Sequence, residues 1–157
     1  MEVVRLQREG LDPASGDGAA RYCGRWNHKG SPVIYCAESR SLSVLECVVH
    51  LARLPVNYCL TVFKIPESVQ IESVDAGVLP AGWNGEVTTS ATRDIGTEWL
   101  ASTRSAVLRV PSVVIEEEFN YLLKPQHGDF PRITILPPKP FRFDARLRPL
   151  PTPKETP

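Results

Sequence analysis

Neither sign of charge predominates in this chain: 18 lysines and arginines stand against 18 aspartates and glutamates in 157 residues. Nothing therefore argues for wrapping duplex nucleic acid or coating an anionic membrane, and any nucleic-acid contact must be local or pass through a partner. Long apolar runs are missing too. None approaches the ~18 residues that a membrane span needs, and the opening MEVVRLQREG has no basic-then-apolar leader. A soluble, cytoplasmic protein without a membrane partner is expected. The four cysteines, Cys23, Cys36, Cys47 and Cys59, form no C-x-x-C pair, and the three histidines are scattered. No metal site is expected. Cys36 and Cys47 read as small core residues in a reducing compartment.

A chain of this length supports one domain with a real core. Val3 to Leu6 reads as an opening strand, followed by a loop rich in Gly, Pro, Asp and Ser that reaches Arg21. VIYCA, residues 33–37, is a partly buried strand. Leu42, Leu45, Val49 and Ala52 recur at helical spacing, and Pro55 closes that segment. YCLTVFKIP and VQIESV alternate as strands expected to be neighbours in a sheet. Residues 75–85 form a loop that carries Trp83 to a surface. A second helix starts near Thr89 or Ser90, with Ile95, Trp99 and Leu100 partly on one face and Gly96 weakening its middle. AVLRVPSVVI is a strand interrupted by Pro111, which leaves Ser112 at a bend or strand edge. EEEFNYLL is a short polar-apolar segment, a last strand lies near Ile133, and the tail beyond Leu147 is proline-rich. Without regular βαβ alternation the fold class is α+β.

The chemistry concentrates in RYCGRWNHKGSPVIYCAES, residues 21–39. Arg21 and Arg25 flank Gly24, whose missing Cβ lets backbone and ligand approach closely. With Arg5 on the preceding strand, their guanidinium forks could clamp a diphosphate; packing of the arginines on Trp26 or Tyr22 by cation–π contact is the structural alternative. Asn27 could simply shape the turn before Gly30. On the first long helix Glu46 falls at the rim of the apolar face, aimed into a cleft or, alternatively, paired with His50 at i,i+4. Ser112 lacks a G-x-S-x-G elbow, so hydrogen bonding to a ligand or the main chain fits it better than a nucleophilic role. GDGAAR lacks the third glycine and following helix of a dinucleotide fingerprint.

GRWNHKGSPVIYCAES, SLSVLECVVHL, ATRDIGTEWL, VLRVPSVVIEEEFNYLLKPQHGDFPRI and FRFDARL stand in the order and spacing of the RES domain, and the chain resembles that family from about Arg5 to Leu147. The resemblance implies one RES domain over residues 1–147, a tail over 148–157, and an ADP-ribosyltransferase-like arrangement of mixed or antiparallel sheets with flanking helices. It further implies a toxin of a bacterial toxin–antitoxin pair, with an Xre-type helix-turn-helix antitoxin in a hetero-oligomeric complex and DNA reached only through that partner. NAD is the implied substrate, not a resident cofactor, cleaved at the nicotinamide ribose with inorganic phosphate or water as acceptor. The family's arginine, glutamate and serine carry over to Arg25, Glu46 and Ser112 as catalytic residues. Arg5 and Tyr35 match further positions associated with the family's pocket, Arg21, Asn27 and Asn120 are expected to bind substrate beside them, and Ser112 is expected to orient ribose or nicotinamide. Lys124 and Gly128 depart from the asparagine and proline expected in that loop. Transfer of ADP-ribose to a protein, or a silent nucleotide-binding module, are the alternatives.

Overall fold

β-branched and aromatic residues along the chain build one mixed, curled sheet. The structure is a computed structural model that describes residues 1–51, 53–85 and 87–147. The elements are β1 (Glu2–Arg8), α1 (Asp17–Tyr22), β2 (Ile34–Ala37), α2 (Arg40–Val48), β3 (Tyr58–Lys64), β4 (Ile71–Ser73), α3 (Ser90–Ala101), β5 (Val107–Pro111), β6 (Phe119–Leu123), β7 (Thr134–Ile135) and β8 (Lys139–Phe141). The strands run in the order β4-β5-β6-β2-β1-β3-β7, with β8 also on β3. Only the β4–β5 pair is parallel among the described strands. No helix among the described residues is long and apolar enough to cross a membrane.

Alternation along the strands sends successive side chains to opposite faces, and each face has its own core. Val3, Ile34, Phe63, Val107 and Leu123 pack on one. Leu108, Val110 and Leu122 pack on the other, under Trp26 and the α3 residues Trp99 and Leu100. Trp99 is a core residue, with its indole Nε1 donating to Ser105 Oγ at 2.9 Å. Full burial of large side chains of this kind contributes ~1.5–3 kcal/mol each. Gly96, on the same helix, is there for contact: a Cβ would lie 1.9 Å from the Trp26 carbonyl oxygen.

The centre of the sheet opens. β1 pairs with β3 along its whole length, from Glu2 opposite Lys64 to Arg8 opposite Tyr58. With β2 it shares a single register pair, Val4 opposite Ala37. β2 is held instead by β6, from Ile34 opposite Leu123 to Ala37 opposite Asn120. The two strands diverge beyond Val4, and a cleft forms between them.

Several expectations need correction. The loop before Arg21 contains α1, a short helix whose acidic start at Asp17 and basic end at Arg21 suit the helix dipole. The strands expected to be neighbours, β3 and β4, lie in opposite halves of the sheet, because β4 pairs in parallel with β5. α2 ends at Val48, well before Pro55. β-Branched Val48 and Val49 propagate a helix poorly, and the chain turns at Val49 and His50, leaving Val49 56% exposed where a buried position was expected. Ala52 lies outside the described residues, as does the tail from 148 to 157. FNYLL, read only as a polar-apolar segment, is the central strand β6. Two short strands, β7 and β8, follow buried Ile133, and each pairs with β3.

Candidate active site

The cleft where the sheet splits has a volume of about 630 Å³, and Arg5, Arg25, Arg93, Tyr35, Glu46 and Asn120 are among the residues lining it. Among the described residues its wall thus holds three arginines and a single acidic side chain, Glu46.

Glu46 reaches the cleft from α2. Ser39 caps that helix, its Oγ accepting from the Leu42 N–H at 3.0 Å. The Glu46 carboxylate is not spent on His50. Its Oε1 accepts from Ser112 Oγ at 2.8 Å and from Asn120 Nδ2 at 2.5 Å, whereas Oε2 accepts no hydrogen bond among the described residues. One oxygen is held and the other is available. Ser112 sits just past the end of β5, as Pro111 suggests, but its side chain is 1% exposed and committed to Glu46. The Ser112 hydroxyl thus has a partner within the protein, and its hydrogen bond positions the carboxylate. Asn120, on the central strand β6, does the same from the cleft wall.

The arginine loop is fastened from beneath. A Cβ on Gly24 would come 2.6 Å from the Tyr35 hydroxyl, which is why only glycine fits there. That hydroxyl accepts from the Trp26 N–H at 3.0 Å and donates to Asn27 Oδ1 at 2.8 Å. Burial pushes the Tyr35 phenol well above its usual range, so it stays a neutral hydrogen-bonding group. Asn27 is fully buried, its Nδ2 donating to the carbonyls of Ala19, His28 and Ser31. It shapes the loop from inside and does not line the cleft.

Arg25 does not stack on Trp26 or Tyr22. Its Nη1 donates to the Trp83 carbonyl at 2.7 Å and its Nη2 to that of Gly85 at 2.8 Å, while Trp83 is half-buried and tilts against Trp26 with ring centroids 6.3 Å apart. Partial burial lowers the Arg25 pKa; the nearby Glu46 charge opposes this shift and the Arg93 charge adds to it. Arg5 is more deeply buried, which lowers its pKa too, and its Nη1 donates to the carbonyls of Pro13 and Ser15 at 2.7 and 2.9 Å. Arg21 is not brought to the site: it lies exposed on the last turn of α1, outside the cleft wall.

Arg93 and Gln7 line the cleft and were not singled out in the sequence. Arg93 sits in a stretch where only its helical position could have pointed inward. The departing loop also lies elsewhere, since Lys124 is buried with its Nζ donating to the Ser102 carbonyl, and His127 contacts the Thr103 carbonyl at 3.1 Å. Neither residue lines the cleft. Among the described residues no group of three His, Cys, Asp or Glu side chains could hold a metal ion.

The RES domain family model matches residues 2–144. A protein of Sphingobium sp. named Prs ADP-ribosylating toxin is 39% identical over 140 residues, covering 87% of each chain. A Toxin Res of Photorhabdus laumondii is 40% identical over 136 residues, covering 85% of this chain and 86% of the relative. Among solved structures, the Mycobacterium tuberculosis MbcT–MbcA toxin–antitoxin complex contains a chain that superposes with a TM-score of 0.63 over 89% of this chain and 83% of its own, at 18% identity. That likeness shows a shared fold. The chain belongs to the RES-domain family, and the relatives named above are toxins.

Proposed function

We propose that this RES-domain protein is a toxin that consumes NAD by breaking the bond between nicotinamide and its ribose, with Glu46 facing the reacting carbon. The observation that carries the reading is the carboxylate of Glu46, fixed through one oxygen by Ser112 and Asn120 in a cleft whose wall also holds Arg5, Arg25 and Arg93. As the bond breaks, its electron pair moves to the ring nitrogen and neutralises the pyridinium charge. Nicotinamide leaves neutral, so no strong general acid is required. The ribosyl group becomes oxocarbenium-like, and a preorganised carboxylate stabilises that growing positive charge. Arg25 and Arg5 supply positive charge for the diphosphate.

The acceptor then bonds to the ribosyl carbon. Inorganic phosphate would give a phosphorylated ADP-ribose; water would give ADP-ribose and release a proton. A second reading, transfer to a protein side chain, is favoured by the name of the Sphingobium relative. The partner is an antitoxin, in keeping with the complex in which the structural neighbour was solved, and an Xre-type helix-turn-helix protein would carry any DNA contact.

The test is incubation of purified, antitoxin-free protein with NAD, with and without inorganic phosphate, beside a Glu46→Gln control. Free nicotinamide from the wild type and none from the control supports the reading, and the ribosyl product identifies the acceptor. NAD left intact until cell extract is added, followed by a labelled protein band, would favour the second reading. NAD bound but intact throughout would mean a silent module.

A further inference from the structure

Arg93 enters the cleft from α3 and is held there before any ligand arrives. Its Nε donates to the Gly24 carbonyl at 3.2 Å, leaving the two terminal nitrogens without a hydrogen bond or ion pair among the described residues. Its helix is fastened to the arginine loop by the residues that follow it. Gly96 closes on the Trp26 carbonyl, Thr97 Oγ1 accepts from the His28 N–H at 2.9 Å, and Asp94 meets His28 Nε2 at 2.6 Å. Arg93 and Arg25 therefore present two guanidinium charges near one another with no ion pair to either among the described residues, and Glu46 lies close to Arg25. Arg5 is set apart, tied to the Pro13 and Ser15 carbonyls. Like charges held in place by a rigid frame are relieved by an anion; Arg93 offers the free guanidinium fork that phosphate oxygens match, and Arg25, whose terminal nitrogens hold the Trp83 and Gly85 carbonyls, adds its charge beside it.

We infer that Arg93 and Arg25 form an oxyanion seat beside Glu46, separate from Arg5, that takes a phosphate group. The inference deepens the NAD reading and rests on it only for the phosphate's source, which is either the dinucleotide's diphosphate or free inorganic phosphate as acceptor.

Titration calorimetry of wild type, Arg93→Gln and Arg93→Lys with ADP-ribose, inorganic phosphate and nicotinamide tests it. Arg93→Gln is expected to weaken the phosphate-bearing ligands by about tenfold, with Arg93→Lys in between and nicotinamide unaffected. Loss confined to ADP-ribose assigns the seat to the diphosphate; loss for inorganic phosphate as well assigns it to a seat that also accepts the free anion. Unchanged affinity for both, or an equal loss for nicotinamide, overturns the proposal, the latter because Arg93 would then only prop the loop. Wild type that binds phosphate but not nicotinamide, with phosphate binding weakened in Arg93→Gln, would count against the NAD reading and leave the seat standing.

Discussion

Ser112 Oγ donates to Glu46 Oε1 at 2.8 Å across 66 residues of sequence. A hydroxyl has one hydrogen and two lone pairs. Here the N–H groups of Val114 and Ile115 donate to the same oxygen at 3.0 and 3.2 Å, so the rotor is fixed and its one hydrogen goes to the carboxylate. The Ser112 N–H in turn donates to the Glu118 carbonyl at 3.0 Å. The loop between β5 and β6 is thereby built to aim one hydrogen bond.

Ser112→Ala is expected to lower kcat by about 10- to 100-fold, or ~1.4–2.7 kcal/mol of transition-state stabilisation, with KM for NAD little changed. The fold should persist at a cost of ~1–3 kcal/mol for the two backbone N–H groups left without an acceptor. Steady-state kinetics beside a urea melt separates the two effects. An unchanged kcat in a folded variant would remove Ser112 from the machinery.

Gly96→Ala is expected to destabilise the protein by at least ~3 kcal/mol or prevent folding. Helix propensity alone would favour alanine by ~1 kcal/mol; the Trp26 carbonyl, 1.9 Å from the new Cβ, decides the sign. A melting temperature at or above that of the wild type would mean that α3 can withdraw from the loop at little cost.

The residues that could be read from the sequence are those whose meaning is local. Pro111 announces the bend at Ser112, Thr89 the start of α3, and the β-branched run the strand β2. Gly24, Arg25 and Glu46 declared themselves by residue type, and all three line the cleft. What could not be read is pairing across distance. Nothing in FNYLL says that Asn120 will face Glu46, 74 residues away, or that β4 will cross the sheet to pair with β5. Arg21 misled because spacing from Arg25 suggested a shared loop, whereas α1 turns its side chain outward. Asn27 shapes its loop, as a turn residue before Gly30 would, and Ser112, whose hydroxyl calls for a hydrogen-bond partner, finds one in Glu46, which no local pattern names.

Stability should fall at alkaline pH. Burial raises the Cys36 thiol from 9.0 to about 12 and the Tyr35 phenol well above 10.0. Below pH 9 both groups are protonated in either state, and their burial carries no proton-linked cost. Above it the unfolded chain releases protons that the folded chain keeps, so stability declines by up to ~1.4 kcal/mol per pH unit for each group. Urea unfolding from pH 8 upward checks this. Cys36→Ala should flatten the slope from about pH 9 and Tyr35→Phe from about pH 10, whatever either substitution does to stability at neutral pH.

Arg25→Lys separates the charge of this residue from its shape. The guanidinium spans the Trp83 and Gly85 carbonyls with two nitrogens at 2.7 and 2.8 Å, and so ties the segment before α3 to the arginine loop. A lysine keeps the positive charge, but its ammonium is a single point on a flexible stem and does not reproduce a planar fork. The variant is therefore expected to release the segment around Trp83, seen as faster amide exchange over residues 82–85 and a shifted tryptophan emission, with a fall in kcat/KM of about tenfold or more. If exchange is unchanged while activity falls, the arginine acts on the ligand alone. If exchange rises and activity holds, the tie to Trp83 is structural, and Arg25 contributes to the site only through its charge.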